Sequence, residues 1–162
     1  MVERRRNVAV AAVVVVAILV ADQLSKLWIL DRFAAVGEFI QVTDFFDIVL
    51  VANRGVSFGL FNNGAAVNAI IFSLLAAVIV VALVVWLLRA TGRVLPAAIG
   101  LVIGGAVGNV ADRLRLGAVV DFLDFHLGAW HWPAFNVADA AICIGVALML
   151  IDGLITGREA AN

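Results

Sequence analysis

The sequence predicts a membrane α-helical protein: four transmembrane helices, with a small external β-sheet inserted after the first helix. Two observations lead there. Of the 162 residues, 65% are hydrophobic and only 14% are charged, with a mean hydropathy of +1.13, whereas soluble domains run to about half apolar and a quarter charged. In addition, four apolar runs are each long enough to cross ~30 Å of hydrocarbon at a rise of ~1.5 Å per residue. The chain is expected to form a single integral membrane domain over residues 1–162. A formal net charge of -1, with Lys and Arg scattered rather than patched, excludes a basic nucleic-acid surface, so no nucleic-acid partner is expected.

The first run extends from Val8 to about Leu30 and is preceded by Arg4, Arg5 and Arg6. That pairing imitates a secretory leader, but no convincing small-x-small cleavage site follows, and apolar character resumes at Leu27 to Leu30. A retained first span is therefore expected. The remaining spans are Ala66 to Leu88, Val94 to Ala111 and Val137 to Ile155. Four crossings place both termini on one side. The triple arginine, Arg89 with Arg93, and Arg158 mark that side as cytoplasmic.

Between the first two spans, Asp31 to Ala65 forms an external segment of about 35 residues, too long for a plain connection. Phe39 to Thr43 and Asp47 to Ala52 are rich in Val, Ile and Phe with partial alternation, which predicts short strands at the membrane surface. Asn62, Asn63 and Gly64 punctuate the return into the second span. In the third span Gly100, Gly104 and Gly108 recur every four residues and so line one helix face, a close-packing surface for a neighbouring helix. Residues 112–136 form the second external segment. Cys143, the only cysteine, sits in an apolar run, where a buried, inert thiol is expected.

Ionisable groups beside hydrocarbon are costly and point to function unless a partner explains them. Here they gather at the outer end of the spans. Asp22 and Lys26 lie one turn apart on one helix face; Asn109, Asp112 and Arg113 close the third span; Asp121 and Asp124 follow in the loop; Asp139 opens the fourth span. Carboxylates converging at a low-dielectric boundary cannot all ionise, so two of them can share one proton. The charged member would then take a proton from water while its neutral partner polarises a carbonyl, the two roles that peptide hydrolysis requires.

Structural explanations compete at two of these places. Asn136 followed three residues later by Asp139 imitates a capping box, and Asp22 with Lys26 reads as a self-neutralising helix ion pair that supports the fold. Asp121, Asp124, His126 and His131 are types that ligate cations, but no His-x-x-x-His or paired-cysteine spacing accompanies them, so no metal is expected. Trp130 and Trp132 read as an interfacial aromatic belt. A proton relay would spread titratable groups through the bilayer, yet away from the outer end the spans offer only Asp152. A presenilin-like peptidase would need a Gly-x-Gly-Asp element, and Asp121 follows Val119 and Val120.

Five segments, in order, carry a family resemblance: DQLSK at Asp22 to Lys26, NRGVSFG at Asn53 to Gly59, GGAVGNVADR at Gly104 to Arg113, VVDF at Val119 to Phe122 and PAFNVADA at Pro133 to Ala140. In these the chain resembles bacterial lipoprotein signal peptidase, or signal peptidase II, nearly end to end. The resemblance implies an aspartyl endopeptidase without metal or cofactor that cleaves diacylglyceryl-modified prolipoproteins just before the lipid-modified cysteine. It implies a site on the periplasmic face of the bacterial cytoplasmic (inner) membrane. Asp121 and Asp139 fall on the catalytic dyad. Asp22, Lys26, Asn53, Asn109, Asp112, Arg113 and Asn136 fall on supporting or substrate-binding positions, with Asn53, Asn109 and Arg113 near substrate or globomycin-type inhibitors. An external sheet and a small surface helix fall on Asp31 to Ala65. Ala140 departs from the pattern, standing where many members carry serine.

Overall fold

The computed structural model describes residues 1–55 and 65–159. Four helices, α1 (Val2–Arg32), α2 (Ala65–Leu87), α3 (Val94–Leu116) and α4 (Val137–Glu159), are joined by strands β1 (Phe39–Thr43), β2 (Phe46–Asn53), β3 (Val119–Leu127) and β4 (Trp130–His131). All four helices are long and apolar enough to span a membrane. Whereas α3 is largely buried, most apolar side chains of α1, α2 and α4 face outward, as Leu74, Val78, Leu150 and Leu154 do. Such surface is stable only against lipid.

At the centre of the bundle lies α3, packed against each of the other three helices. Its glycines explain how closely they approach. A Cβ on Gly100 would meet the Ala11 carbonyl and Val14, one on Gly104 would meet Ile18, and one on Gly108 would lie 2.6 Å from Asp22 Oδ2. The predicted stripe therefore seats α1. An adjacent face of α3 receives α4, with Gly105 against the Ala138 carbonyl and Gly145 of α4 against Ala98. In return, α1 buries Asn7, Ala11, Asp22, Lys26 and Ile29, a helical stripe facing α3.

The four strands form one antiparallel sheet in the order β1-β2-β3-β4. The strands expected at 39–43 and 47–52 form as β1 and β2, with β2 one residue longer at each end. The β2–β3 register shifts between Ile48 and Val51, so the sheet bends there. Ile29 and Phe33 at the outer end of α1 pack on Leu50, Val120 and Phe122. That small core seats the sheet on the helical bundle.

Several expectations are corrected. Asp121 and Asp124 lie on β3 rather than in a loop, because residues 119–127 find the open edge of β2. The third helix runs past Ala111 to Leu116, ending only where Gly117 takes a left-handed conformation at φ 71°, so Asp112 and Arg113 belong to the helix. Cys143 is exposed rather than buried; an all-apolar helix does not reveal in sequence which side meets lipid. No surface helix occurs among the described residues of the insertion. Residues 56–64, which hold Val56 to Gly59 of the NRGVSFG segment and the Asn62, Asn63, Gly64 punctuation, lie outside the described residues.

Candidate active site

Asp121 comes from β3 and Asp139 from the first turn of α4. Asn136 stands between them. Its Nδ2 donates to Asp121 Oδ1 at 2.6 Å, and its backbone N–H donates to Asp139 Oδ2 at 3.3 Å. The Asp139 N–H returns a bond to Asn136 Oδ1 at 2.9 Å. This is a reciprocal cap of the kind the sequence suggested, and the same cap orients the carboxylate.

The remaining two carboxylate oxygens are also held by asparagines. Asn53 at the end of β2 donates to Asp121 Oδ2 at 2.8 Å, and Asn109 of α3 donates to Asp139 Oδ1 at 2.7 Å. Asn53 is itself set by accepting from the Gly55 N–H at 2.8 Å. Gly55 has φ +81°, and a side chain there would run into the Phe72 ring of α2. Only glycine suits that turn. Every carboxylate oxygen of the pair thus has a fixed amide donor, and each keeps acceptor capacity for water or substrate.

Behind the pair lies a buried ionic core. Lys26, 2% exposed, pairs with Asp22 at 2.9 Å and Asp112 at 2.7 Å and donates to Asn109 Oδ1 at 3.0 Å. Each aspartate reaches a further element: Asp22 Oδ1 accepts from the Ala138 N–H at the start of α4 at 3.0 Å, and Asp112 Oδ2 accepts from the Val120 N–H at the start of β3 at 3.4 Å. Lys26 consequently ties together the elements that carry Asp139 and Asp121. Gln23, which no sequence pattern singled out, joins the same core by donating to Asp22 and Asp112 at 3.1 and 3.0 Å; its place inside the DQLSK segment was the available signal. Arg113 donates to the Asn109 carbonyl at 3.4 Å and stacks over Phe72 at 5.4 Å, within electrostatic reach of Asp139, Asp121 and Asp112.

Burial pushes the Asp121 carboxyl up to about 6 from its ordinary 3.8. The Asn53 hydrogen bond opposes this, the Asp139 charge adds to it, and Asn136 with Lys26 oppose it again. Asp121, with its raised proton affinity, faces a cavity of about 620 Å³ lined also by Asn53 and Arg54, a setting suited to acid–base work. Asp124 and His131 lie elsewhere on the sheet, joined to each other at 2.8 Å. Among the described residues no group of three or more His, Cys, Asp or Glu side chains is arranged to hold a metal ion.

The four spanning helices define an integral membrane protein, and its family match makes it a hydrolase of the aspartic peptidase class. Comparison with known proteins narrows the class. Residues 14–155 match the family described as signal peptidase (SPase) II, and the chain belongs to that family. It is 44% identical to the lipoprotein signal peptidase of Shewanella halifaxensis, over 90% of this chain and 86% of that one. It is 46% identical to the lipoprotein signal peptidase of Burkholderia cenocepacia, over 85% and 82%. Two solved bacterial membrane enzyme structures, obtained by the in meso method at 1.9 and 2.3 Å resolution, superpose with TM-scores of 0.77 and 0.79. They share 29% and 28% identity with it, and 88% and 92% of this chain is covered against 90% of each of theirs.

Proposed function

We propose that this protein is an aspartyl endopeptidase that removes signal peptides from diacylglyceryl-modified prolipoproteins, cleaving just before the lipid-modified cysteine, with Asp121 and Asp139 as its catalytic pair. The observation that carries this reading is the set of four amide donors, one to each oxygen of the two carboxyls. Family membership supplies the substrate class.

In this mechanism Asp139 is the base. It sits at the N-terminus of α4, where the helix dipole favours a negative charge. Asp121, desolvated and holding its proton to about pH 6, is the acid. Asp139 removes a proton from water as the oxygen attacks the scissile carbonyl, and Asp121 donates a hydrogen bond to the developing oxyanion. As the tetrahedral intermediate collapses, Asp139 returns its proton to the departing cysteine amine. Asn53, Asn109 and Asn136 hold both carboxyls in place, Asp22, Lys26 and Asp112 hold the elements that carry them, and Arg113 balances negative charge. No step uses a metal or cofactor. Globomycin-type inhibitors, which mimic the substrate, would occupy the cavity lined by Asp121, Asn53 and Arg54, with Asn109 and Arg113 near them as the family resemblance implies.

The arginines at the start of α1 favour an orientation with both termini on the cytoplasmic side of a bacterial cytoplasmic membrane; in that orientation the pair faces the periplasm at the depth where a lipid-bearing cysteine emerges. Turnover of a lipid-modified prolipoprotein by Asp121→Asn and Asp139→Asn variants tests the reading. Each is expected to insert normally and to lose at least about 10³-fold in kcat/KM. Near-normal cleavage by either variant would overturn the dyad.

A further inference from the structure

A second group of titratable side chains lies on the external sheet, outside the site above. Asp47 of β2 and Asp124 of β3 are paired directly across the strands, 8% and 9% exposed. Like charges facing one another across a ladder are destabilising. Each aspartate meets one imidazole through Oδ2: His126 approaches Asp47 at 3.4 Å and His131 binds Asp124 at 2.8 Å. The two rings stack, with centroids 4.8 Å apart. The other oxygen of each carboxylate, Oδ1, is buried and has no hydrogen-bond partner. Both ring nitrogens of His126 are likewise buried without a hydrogen bond. Asp47 and Asp124 thus line a cavity of about 660 Å³ with one oxygen of each unsatisfied. A buried acceptor without a donor is costly, and a cationic group with several N–H donors would satisfy both at once.

This cavity adjoins the one beside Asp121: Val51, Pro133 and Ala134 line both. Along β3 the Cα positions of Asp121 and Asp124 are three residues, about 10 Å, apart; since side chains at that spacing point to opposite faces of a strand, the path between the two sites runs over the shared Val51, Pro133 and Ala134. We propose that the Asp47–Asp124 cavity binds a Lys or Arg side chain of the prolipoprotein, about three to four residues beyond the scissile bond, and so sets a preference for basic residues on the mature side. The side follows from solvent. The apolar signal segment stays in hydrocarbon, whereas the polar continuation of the substrate leaves across the sheet. The inference rests on the peptidase reading above.

The test uses the full-length enzyme and lipid-modified substrates that carry Lys, Gln or Glu in turn at the second to fifth residues past the scissile bond. Wild type should show a KM about threefold to tenfold lower for Lys than for Glu at one of these positions, the range of a partly screened ion pair, with kcat little changed. In Asp47→Asn and Asp124→Asn variants the Lys-to-Glu ratio within each enzyme should shrink toward one, a comparison that a general loss of activity does not affect. Equal KM values across the series in wild type would overturn the proposal while cleavage itself upholds the peptidase reading, and this arm requires no variant to fold. A Lys preference that survives in both variants would also overturn it. Failure to cleave even the Gln substrates would remove the peptidase reading, and this proposal with it.

Discussion

Asn136 touches both candidate catalytic carboxyls: its side chain donates to Asp121 at 2.6 Å and its main chain donates to Asp139 at 3.3 Å. Because Asn136 also caps α4, the helix start and the dyad geometry are one structural unit. Asn136→Ala should lower kcat by about 10²-fold, the usual effect of losing one preorganised donor, and should lower stability by about 1 kcal/mol through the lost cap. Steady-state kinetics and thermal unfolding in detergent measure the two effects separately. A large drop in melting temperature with unchanged kcat would show a purely structural role.

The position of the Asp121 proton gives the pH profile its sign. In the proposed mechanism the pair works with one shared proton, which Asp121 holds until about pH 6, so kcat/KM should fall as pH rises through that region. Asn53 donates to the ionised form and thereby lowers the proton affinity of Asp121. Asn53→Ala should move the descending limb to higher pH. A limb that moves the other way, or stays fixed, would contradict the assignment of Asp121 as the acid.

Lys26 is a buried cation between two buried anions. Lys26→Met leaves Asp22 and Asp112 uncompensated and should cost about 3–5 kcal/mol. Adding Asp112→Asn to Lys26→Met should recover part of that loss, because one of the orphaned charges is removed. Unfolding midpoints of the single and double variants in detergent check this coupling.

Gly108 and Gly153 should respond oppositely to the same substitution. A Cβ on Gly108 would lie 2.6 Å from Asp22 Oδ2, whereas a Cβ on Gly153 meets nothing within 4 Å. Gly108→Ala should destabilise by about 1–3 kcal/mol through overpacking and displace the anchor of α4. Gly153→Ala should be neutral or stabilising, by up to about 1 kcal/mol. Thermal melts of the two variants against wild type decide the matter.

Much of this protein is legible from local pattern. The apolar runs reveal the four spans because only a helix satisfies its backbone in lipid, and the spacing of Gly100, Gly104 and Gly108 reveals the face that seats α1. The Asn136–Asp139 cap also lies within four residues of chain. On the residues alone, capping and catalysis competed for Asp139; the structure makes them compatible, since the cap that starts α4 also aims the carboxylate.

What the tertiary structure alone decided depends on contacts between distant segments. The strand carrying Asp121 exists because residues 119–127 pair with β2, more than sixty residues earlier in the chain; its own residues read as a loop. The role of Lys26 is likewise set by distance in sequence. One partner, Asp22, is a helical neighbour visible in the pattern, but the other, Asp112, comes from α3. The pairing of Asp47 with Asp124 has no sequence signature at all, because strand register is a property of two segments together. Solvent preference and periodicity act along the chain and determined the spans. Register, burial and shared hydrogen bonds act across it, and they decided which of the many polar groups at the outer end meet.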